Sequence, residues 1–316
     1  MDPEKIAGLV REYPGLARKR EIPFAAKAMG SLALPGLLEE DGAFVHDKNG
    51  YLIAACDAIM PQLCASAPYF AGRSAVLASV NDVAAMGGKT LMLVNAAGGT
   101  DEENLTQIMR GMAEGAAVFG LPIHGGHLMP LGDPNSVCVT AVGRAKKILR
   151  SSTVLPGHAL VVVAALSGQR AKSWRYGFDS TFCANPRTVR ARYTAFRKLA
   201  EEGAFSAAKD ISNPGVLGTL AVLLETSRVG ALIDLDAIPV PEGMPREDWF
   251  LAFASFGFVC GMPQSRVKAV TARLRRLGVW AGAVGRATGD DRVLIKSQGQ
   301  EALLFDWRKD SILRFA

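Results

Sequence analysis

The chain has 316 residues, 49% of them apolar and 21% charged, with 33 glycines. That balance excludes a disordered or coiled-coil chain, and the length favours two domains over one. The net charge of +6 is modest, and suits binding of small anions at least as well as nucleic acid. Apolar runs such as Ala159–Leu166 are too short to cross a bilayer. The start, MDPEKIAGLVREYPG, has acids and no apolar core, so no secretory signal is expected. Five cysteines, at 56, 64, 138, 183 and 260, contain no Cys-x-x-Cys and are odd in number. They point to a reducing cytoplasm with buried thiols, and away from a disulfide framework or structural zinc.

Residues 3–30 read as one or two polar helical pieces broken near Pro14, and Pro35-Gly36 punctuates. Ala43-Phe44-Val45 and Tyr51–Ala55 flank Asp47-Lys48-Asn49-Gly50, where Asn-Gly favours a tight hairpin turn. Gly72–Met86 has helical spacing and is stopped by Gly87-Gly88. A strand is expected over Leu91–Ala96. Thr100 with Glu103 reads as a capping box for a helix to Phe119, closed by Gly120. Strands follow near Leu121–His124 and Ser136–Gly143, and Ile148–Gly157 reads as a linker. Beyond it come a strand from Ala159, a helix over Thr188–Glu202 and another begun by Asn213-Pro214, with Asn as cap and Pro in the first turn. Strands near Ala231–Leu235, Leu251–Gly261, Trp280–Arg286 and Val293–Lys296 surround a basic amphipathic helix, Gln264–Leu277.

Five short motifs pair small residues with metal-capable side chains. They are Glu39-Glu40-Asp41-Gly42-Ala43, Cys56-Asp57, Ser79–Gly87 with Asn81 and Asp82, His124-Gly125-Gly126-His127, and Asp210–Gly215. Acids converging from separate segments suit Mg²⁺, which prefers carboxylate oxygens and completes its shell with water and phosphates. A lone Asp before Gly is also an ordinary turn residue. Asp82 lies inside an apolar helix, where a carboxylate is costly unless it is paired with an arginine or metal-bound. Asp210 and Asn213 also fit a plain helix start. His124 and His127 lack a third ligand for zinc. Between Arg170 and Lys198 there are eight Lys/Arg and one acid, Asp179. That stretch is either a phosphate- or carboxylate-binding loop begun by Ser167-Gly168-Gln169-Arg170 or a solvated helix face. Trp174 and Tyr176 either stack on a ring or pack.

The order of these motifs resembles the AIR-synthetase-like superfamily. It includes aminoimidazole ribonucleotide synthetase, formylglycinamidine ribonucleotide synthetase, thiamine-monophosphate kinase, selenophosphate synthetase and a hydrogenase maturation factor. Uncharacterised AIR synthase-related proteins and the kinase branch look most alike. Glu40-Asp41-Gly42-Ala43 resembles the family's Asp-Asp-Ala-Ala, Cys56-Asp57 its Thr-Asp, and Asn81–Gly87 its Ser-Asp-Ile-Ala-Ala-Met-Gly. Gly125-Gly126-His127 falls where the family has Gly-Gly-Asp-Thr. Asp210-Ile211-Ser212-Asn213 resembles Asp-Ile-Ser-Asp-Gly, and Ile238-Pro239 a later Ile-Pro.

The resemblance implies a mixed α/β (α+β) fold of two domains. A helical extension over 1–34 would precede a metal-binding, dimer-building domain over 35–150 and a second domain over 151–316. It implies Mg²⁺ and ATP as cofactors, with Asp41, Asp57 and Asp82 on the metal and Asp210 facing the metal–phosphate cluster. Asn81, Gly125, Gly126, His127 and Arg170 would line the nucleotide, and Asp210 with Asn213 would serve catalysis. A small-molecule substrate and a homodimer are implied, with no nucleic acid and no membrane partner. The departures are His127 and Asn213 for acids, Glu40 for Asp, and no Gly-Gly-Glu-Asp-Tyr-Glu around Asp248–Ala254. The last puts a thiamine-monophosphate substrate in doubt. No Cys precedes Cys56 and the chain ends Leu313-Arg314-Phe315-Ala316, so the nucleophiles of the selenophosphate synthetases and the hydrogenase factor are not matched. Two function classes result: an enzyme that phosphorylates or activates a small metabolite, and a degenerate nucleotide binder or assembly protein without turnover. Nucleic-acid binding ranks last, since the basic residues lack aromatic-interleaved motifs.

Overall fold

The computed structural model describes residues 1–30, 39–254 and 256–313. The expected break at Pro35-Gly36 lies outside them. In chain order the helices are α1 (Pro3–Glu12), α2 (Pro14–Ala17), α3 (Ile22–Met29), α4 (Pro61–Ser66), α5 (Pro68–Ala85), α6 (Glu102–Phe119), α7 (Pro186–Glu201), α8 (Gly215–Thr226), α9 (Arg246–Leu251) and α10 (Val267–Arg275). The strands are β1 (Ala43–Asp47), β2 (Gly50–Ala58), β3 (Lys89–Gly98), β4 (Ile123–Leu128), β5 (Ser136–Ala145), β6 (Ala159–Ala164), β7 (Gln169–Arg170), β8 (Gly177–Asp179), β9 (Ala207–Asp210), β10 (Gly230–Asp234), β11 (Phe253–Ala254), β12 (Gly257–Met262), β13 (Trp280–Thr288), β14 (Arg292–Ser297) and β15 (Gln300–Asp306). No helix among the described residues is long and apolar enough to cross a membrane.

Two compact units interleave along the sequence. One comprises Asp41–Ile148 with Gly168–Glu201, the other Met1–Glu40, Leu149–Ser167 and Glu202–Ala316. They are called here the five-stranded and seven-stranded units. The chain crosses between the units at Glu40/Asp41 and again at Ile148/Leu149, and residues 168–201, with α7, return to the five-stranded unit.

The five-stranded sheet runs β1-β2-β5-β3-β4. Neighbours are antiparallel except β3 and β4, which are parallel. Burial alternates along β5 residue by residue, as it does on a sheet with one covered face. Helix α5 covers that face and is itself covered by α6. Its buried residues therefore run all round it rather than along one stripe. Glycines set the spacing of the two helices. A Cβ at Gly72 would stand 2.1 Å from the Ile108 carbonyl oxygen, and one at Gly111 would stand 2.1 Å from that of Tyr69. A mid-helix glycine costs about 1 kcal/mol relative to alanine, a cost offset here by close backbone packing.

The hairpin forms where the sequence places it, but the turn is Lys48-Asn49, with Asp47 opposite Gly50. Asp47 Oδ1 accepts the Asn49 N–H at 2.8 Å, an Asx turn that outweighs the Asn-Gly preference. Helix α6 is capped by Asp101, which accepts the Asn104 N–H at 2.8 Å. Thr100 lies one residue before the cap, and its N–H is taken by Asn135 Oδ1 at 2.9 Å. Gly120 closes the helix in the left-handed region, φ 65°.

The seven-stranded sheet runs β15-β14-β10-β13-β6-β12-β9 and is mixed, with β10 and β14 parallel. Strands β6 and β12 are buried throughout, which is why their sequences are apolar runs without alternation. The segment expected as one strand over Leu251–Gly261 divides into the end of α9 and two strands. The first helices are integral to this unit. Ile6, Val10 and Leu16 are core residues, and Arg11 donates to the Leu303 carbonyl of β15 at 3.0 Å.

Candidate metal and nucleotide site

In the five-stranded unit, Asp82 sits in the last turns of α5 and is only 7% exposed. Asp41 lies in the turn entering β1 and is half-buried. The two place carboxylate oxygens within 4.8 Å of one another. Gly42 explains the approach. A Cβ there would lie 2.9 Å from the Ala54 carbonyl oxygen and 3.3 Å from Met86 Sδ. Without one, the turn carrying Asp41 settles onto β2 and the end of α5. The Asp-Gly step and the Met of the Ser79–Gly87 motif thus meet physically.

Two carboxylates this close repel each other, and a divalent cation between them reverses the sign. Oxygens sharing one octahedral Mg²⁺ stand about 3 Å apart in cis and about 4 Å in trans, from a metal–oxygen distance of about 2.1 Å. Asp41 and Asp82 stand within 4.8 Å of one another, and their all-oxygen donor set fits Mg²⁺.

The other expected residues are placed as follows. Asp57 is in β2 opposite Val139, on the same side of the strand as buried Ile53 and Ala55, the side that α5 covers. It does not bring an oxygen within 4.8 Å of both Asp41 and Asp82. Asn81 is 3% exposed, and its Oδ1 accepts the Tyr193 hydroxyl of α7 at 2.6 Å. Gly125, Gly126 and His127 form part of exposed β4. A Cβ at Gly126 would meet the Asn95 carbonyl oxygen at 2.0 Å, so this glycine lets β4 run beside β3. Arg170 is half-buried in β7 and donates to the Arg175 carbonyl at 3.4 Å.

In the seven-stranded unit, Asp210 ends β9 opposite Phe258 and is 4% exposed. Strand β9 escapes sequence reading because Ala-Ala-Lys-Asp has poor strand propensity. Asn213 does not cap α8. The residue before that helix is Pro214, which makes no side-chain cap. Asn213 Oδ1 instead accepts the Tyr13 hydroxyl at 3.1 Å, and a Cβ on Gly15 would come 2.9 Å from Asn213 Cγ. The first helices therefore hold this side chain. Glu40, in place of an aspartate, serves its own unit. Its carboxylate takes Arg150 Nε at 2.8 Å and the Ser151 N–H at 2.8 Å.

Sequence reading missed a nearly fully buried ion pair of the five-stranded unit. Arg73 of α5 and Asp179 of β8 are 4% and 1% exposed and 2.7 Å apart. Thr181 receives Arg73 Nη2 at 2.9 Å and donates to Asp179 Oδ1 at 2.7 Å. The signal was present: Asp179 is the single acid of the basic stretch. The expectation of buried thiols holds for Cys64 and Cys260, whereas Cys56 and Cys183 are exposed. Alternation along β2 turns Cys56 to the open face, 3.3 Å from Cys138 Sγ. Burial, then the hydrogen bond with Cys56 and the charges of Cys56 and Asp57, push the Cys138 thiol up to about 12.

Comparison with known proteins adds the following. Residues 39–145 match the family model of the AIR synthase related protein, N-terminal domain. Residues 155–296 match that of the C-terminal domain. An uncharacterized protein of Synechocystis sp. is 32% identical over 306 residues, covering 95% of each chain. The selenide, water dikinase of Carboxydothermus hydrogenoformans is 26% identical over 340 residues, covering 94% of each. Thermotoga maritima PurL complexed with ADP superposes with a TM-score of 0.76 at 17% identity, covering 96% of this chain and 51% of PurL. The chain thus spans about half the length of that structure, and the likeness speaks for the fold.

Proposed function

The chain belongs to the AIR synthase related proteins through both of its halves, and from that premise we propose that it is a Mg-ATP-dependent enzyme that phosphorylates or activates a small metabolite. The observation that carries the reading is the Asp41–Asp82 pair, with oxygens within 4.8 Å and one of the two acids buried in an apolar helix. The names of two similar proteins, a selenide, water dikinase and a PurL complexed with ADP, support it.

In this reading Asp41 and Asp82 hold Mg²⁺, with Asp57 as a further acid on the α5 side of β2. Bound Mg²⁺ supplies charge stabilisation to a polyphosphate and to a phosphoryl group in transfer. Asn81, Gly125, Gly126, His127 and Arg170 contribute to nucleotide binding, and Asp210 and Asn213 serve the chemical step. A cytoplasmic homodimer is part of the same reading. The uncovered face of the five-stranded sheet, with Ala54, Cys56 and Ala58 exposed along β2, supports a self-association surface there.

Titration calorimetry with ATP tests the metal site. The wild-type chain is expected to bind ATP only with Mg²⁺, and Asp82→Asn to weaken binding at least tenfold. Absence of ATP binding with and without Mg²⁺ would sink the proposal. Asp210→Asn, measured in parallel, tests that acid separately. A second reading, a nucleotide binder without turnover, is favoured by Asn213 being occupied with Tyr13 and by His127 lying exposed on β4. Release of ADP across a metabolite panel decides between the two.

A further inference from the structure

The basic stretch singled out in the sequence is not absorbed by the metal site. Part of it lines a cavity of about 570 Å³ within the five-stranded unit. That volume lies within the range of about 300–1,000 Å³ typical of small-molecule pockets. Three cations line it: Lys89 at the start of β3, and Arg190 and Arg197 of α7. No Asp or Glu is among the lining residues. Arg197 is paired with Glu201 one turn on. Arg190 gives one Nη1 bond to the Val118 carbonyl at 3.3 Å, which leaves most of its guanidinium donors for a ligand. Thr90, Tyr193 and Thr194 also line it.

The remaining wall is apolar. Phe119 and Tyr193 meet edge to face, with ring centroids 5.1 Å apart and planes at 88°, beside Leu91 and Leu121. A lining that combines three cations with two aromatic rings matches a small molecule with an anionic head and an aromatic body. Arginine forks take phosphate or carboxylate oxygens in bidentate fashion, and an aromatic ring prefers offset or edge contacts with other rings. We propose that this cavity is a second ligand site, separate from the Asp41–Asp82 pair, for an aromatic phosphomonoester or carboxylate. Its occupant touches Tyr193, whose hydroxyl holds Asn81, the neighbour of Asp82 in α5.

Phenyl phosphate is the probe, titrated into the full chain in EDTA so that no Mg-ATP site can form. Saturable binding at one site is expected. A Lys89→Gln/Arg190→Gln double variant should bind at least tenfold more weakly with an unchanged melting temperature. Arg187→Gln, an exposed cation of α7 outside the cavity lining, should bind as wild type does. Inorganic phosphate and phenol should each bind at least tenfold more weakly than the joined molecule. The proposal is overturned by non-saturable binding, by a double variant that binds as tightly as wild type, or by an equal loss in Arg187→Gln. Inorganic phosphate binding as tightly as phenyl phosphate overturns the aromatic half of the assignment.

Discussion

The two halves of α5 treat a buried charge in opposite ways. Near its start, Arg73 is matched at 2.7 Å by Asp179, and both are almost fully buried. Near its end, Asp82 has a second carboxylate, Asp41, within 4.8 Å. The first arrangement is neutral within the chain and ties β8 to the helix. The second brings like charges together, which costs energy in a fold and is useful when a cation joins them. At an effective dielectric of about 20, two unit charges 4.8 Å apart repel by about 3 kcal/mol, and the half-exposed position of Asp41 reduces that. One helix thus carries a structural charge pair and a candidate binding pair, and partner chemistry separates them where burial does not.

This contrast breaks most sharply under substitution. Asp179→Ala leaves Arg73 buried without its counter-charge and should cost about 3–5 kcal/mol of stability, read as a lowered urea midpoint at unchanged slope. Mg²⁺ should not restore it. Asp82→Asn should do the reverse. Its melting-temperature rise on adding Mg-ATP should disappear, while in EDTA its stability should stay close to that of wild type. A large destabilisation of Asp82→Asn in EDTA would place Asp82 with the structural acids.

A smaller effect concerns the open face of the same sheet. In a pulse of iodoacetamide at pH 8, Cys56 should be alkylated and Cys138 spared, read by peptide mass spectrometry. Equal rates would contradict the pushed-up Cys138 thiol. The sign for stability follows from the same shift. A thiol raised from 9.0 to about 12 keeps its proton longer in the folded chain than in the unfolded one. Its contribution is therefore fully present below about 9 and is lost as pH rises toward 12. Cys138→Ser should flatten that loss in an alkaline unfolding series.

Much of the fold was legible because local chemistry and tertiary packing agreed. The apolar run at Ala159 is a strand buried on both faces, and the Asp47–Gly50 turn makes a hairpin. Gly120 ends α6 in the left-handed region it alone takes easily. Legibility failed where a side chain had a distant partner. Asn213 looks like a helix cap but is held by Tyr13, some 200 positions away in sequence. Thr100 looks like half of a capping box but gives its N–H to Asn135. At Gly126 the demand for glycine is steric and is set by Asn95 of the neighbouring strand, which the local sequence does not show.

The sequence by itself determined the mixed α/β class, the ordered motifs and the suspicion attached to Asp82, because composition, periodicity and a carboxylate in an apolar helix are local properties. Only the tertiary structure decided that Asp41 reaches Asp82 while Arg73 claims Asp179. It also decided that residues 168–201 return to the five-stranded unit and that two arginines of α7 face a cavity. Those outcomes depend on which segments meet, and a carboxylate becomes a ligand, a counter-ion or a cap according to what stands within a few ångströms of it.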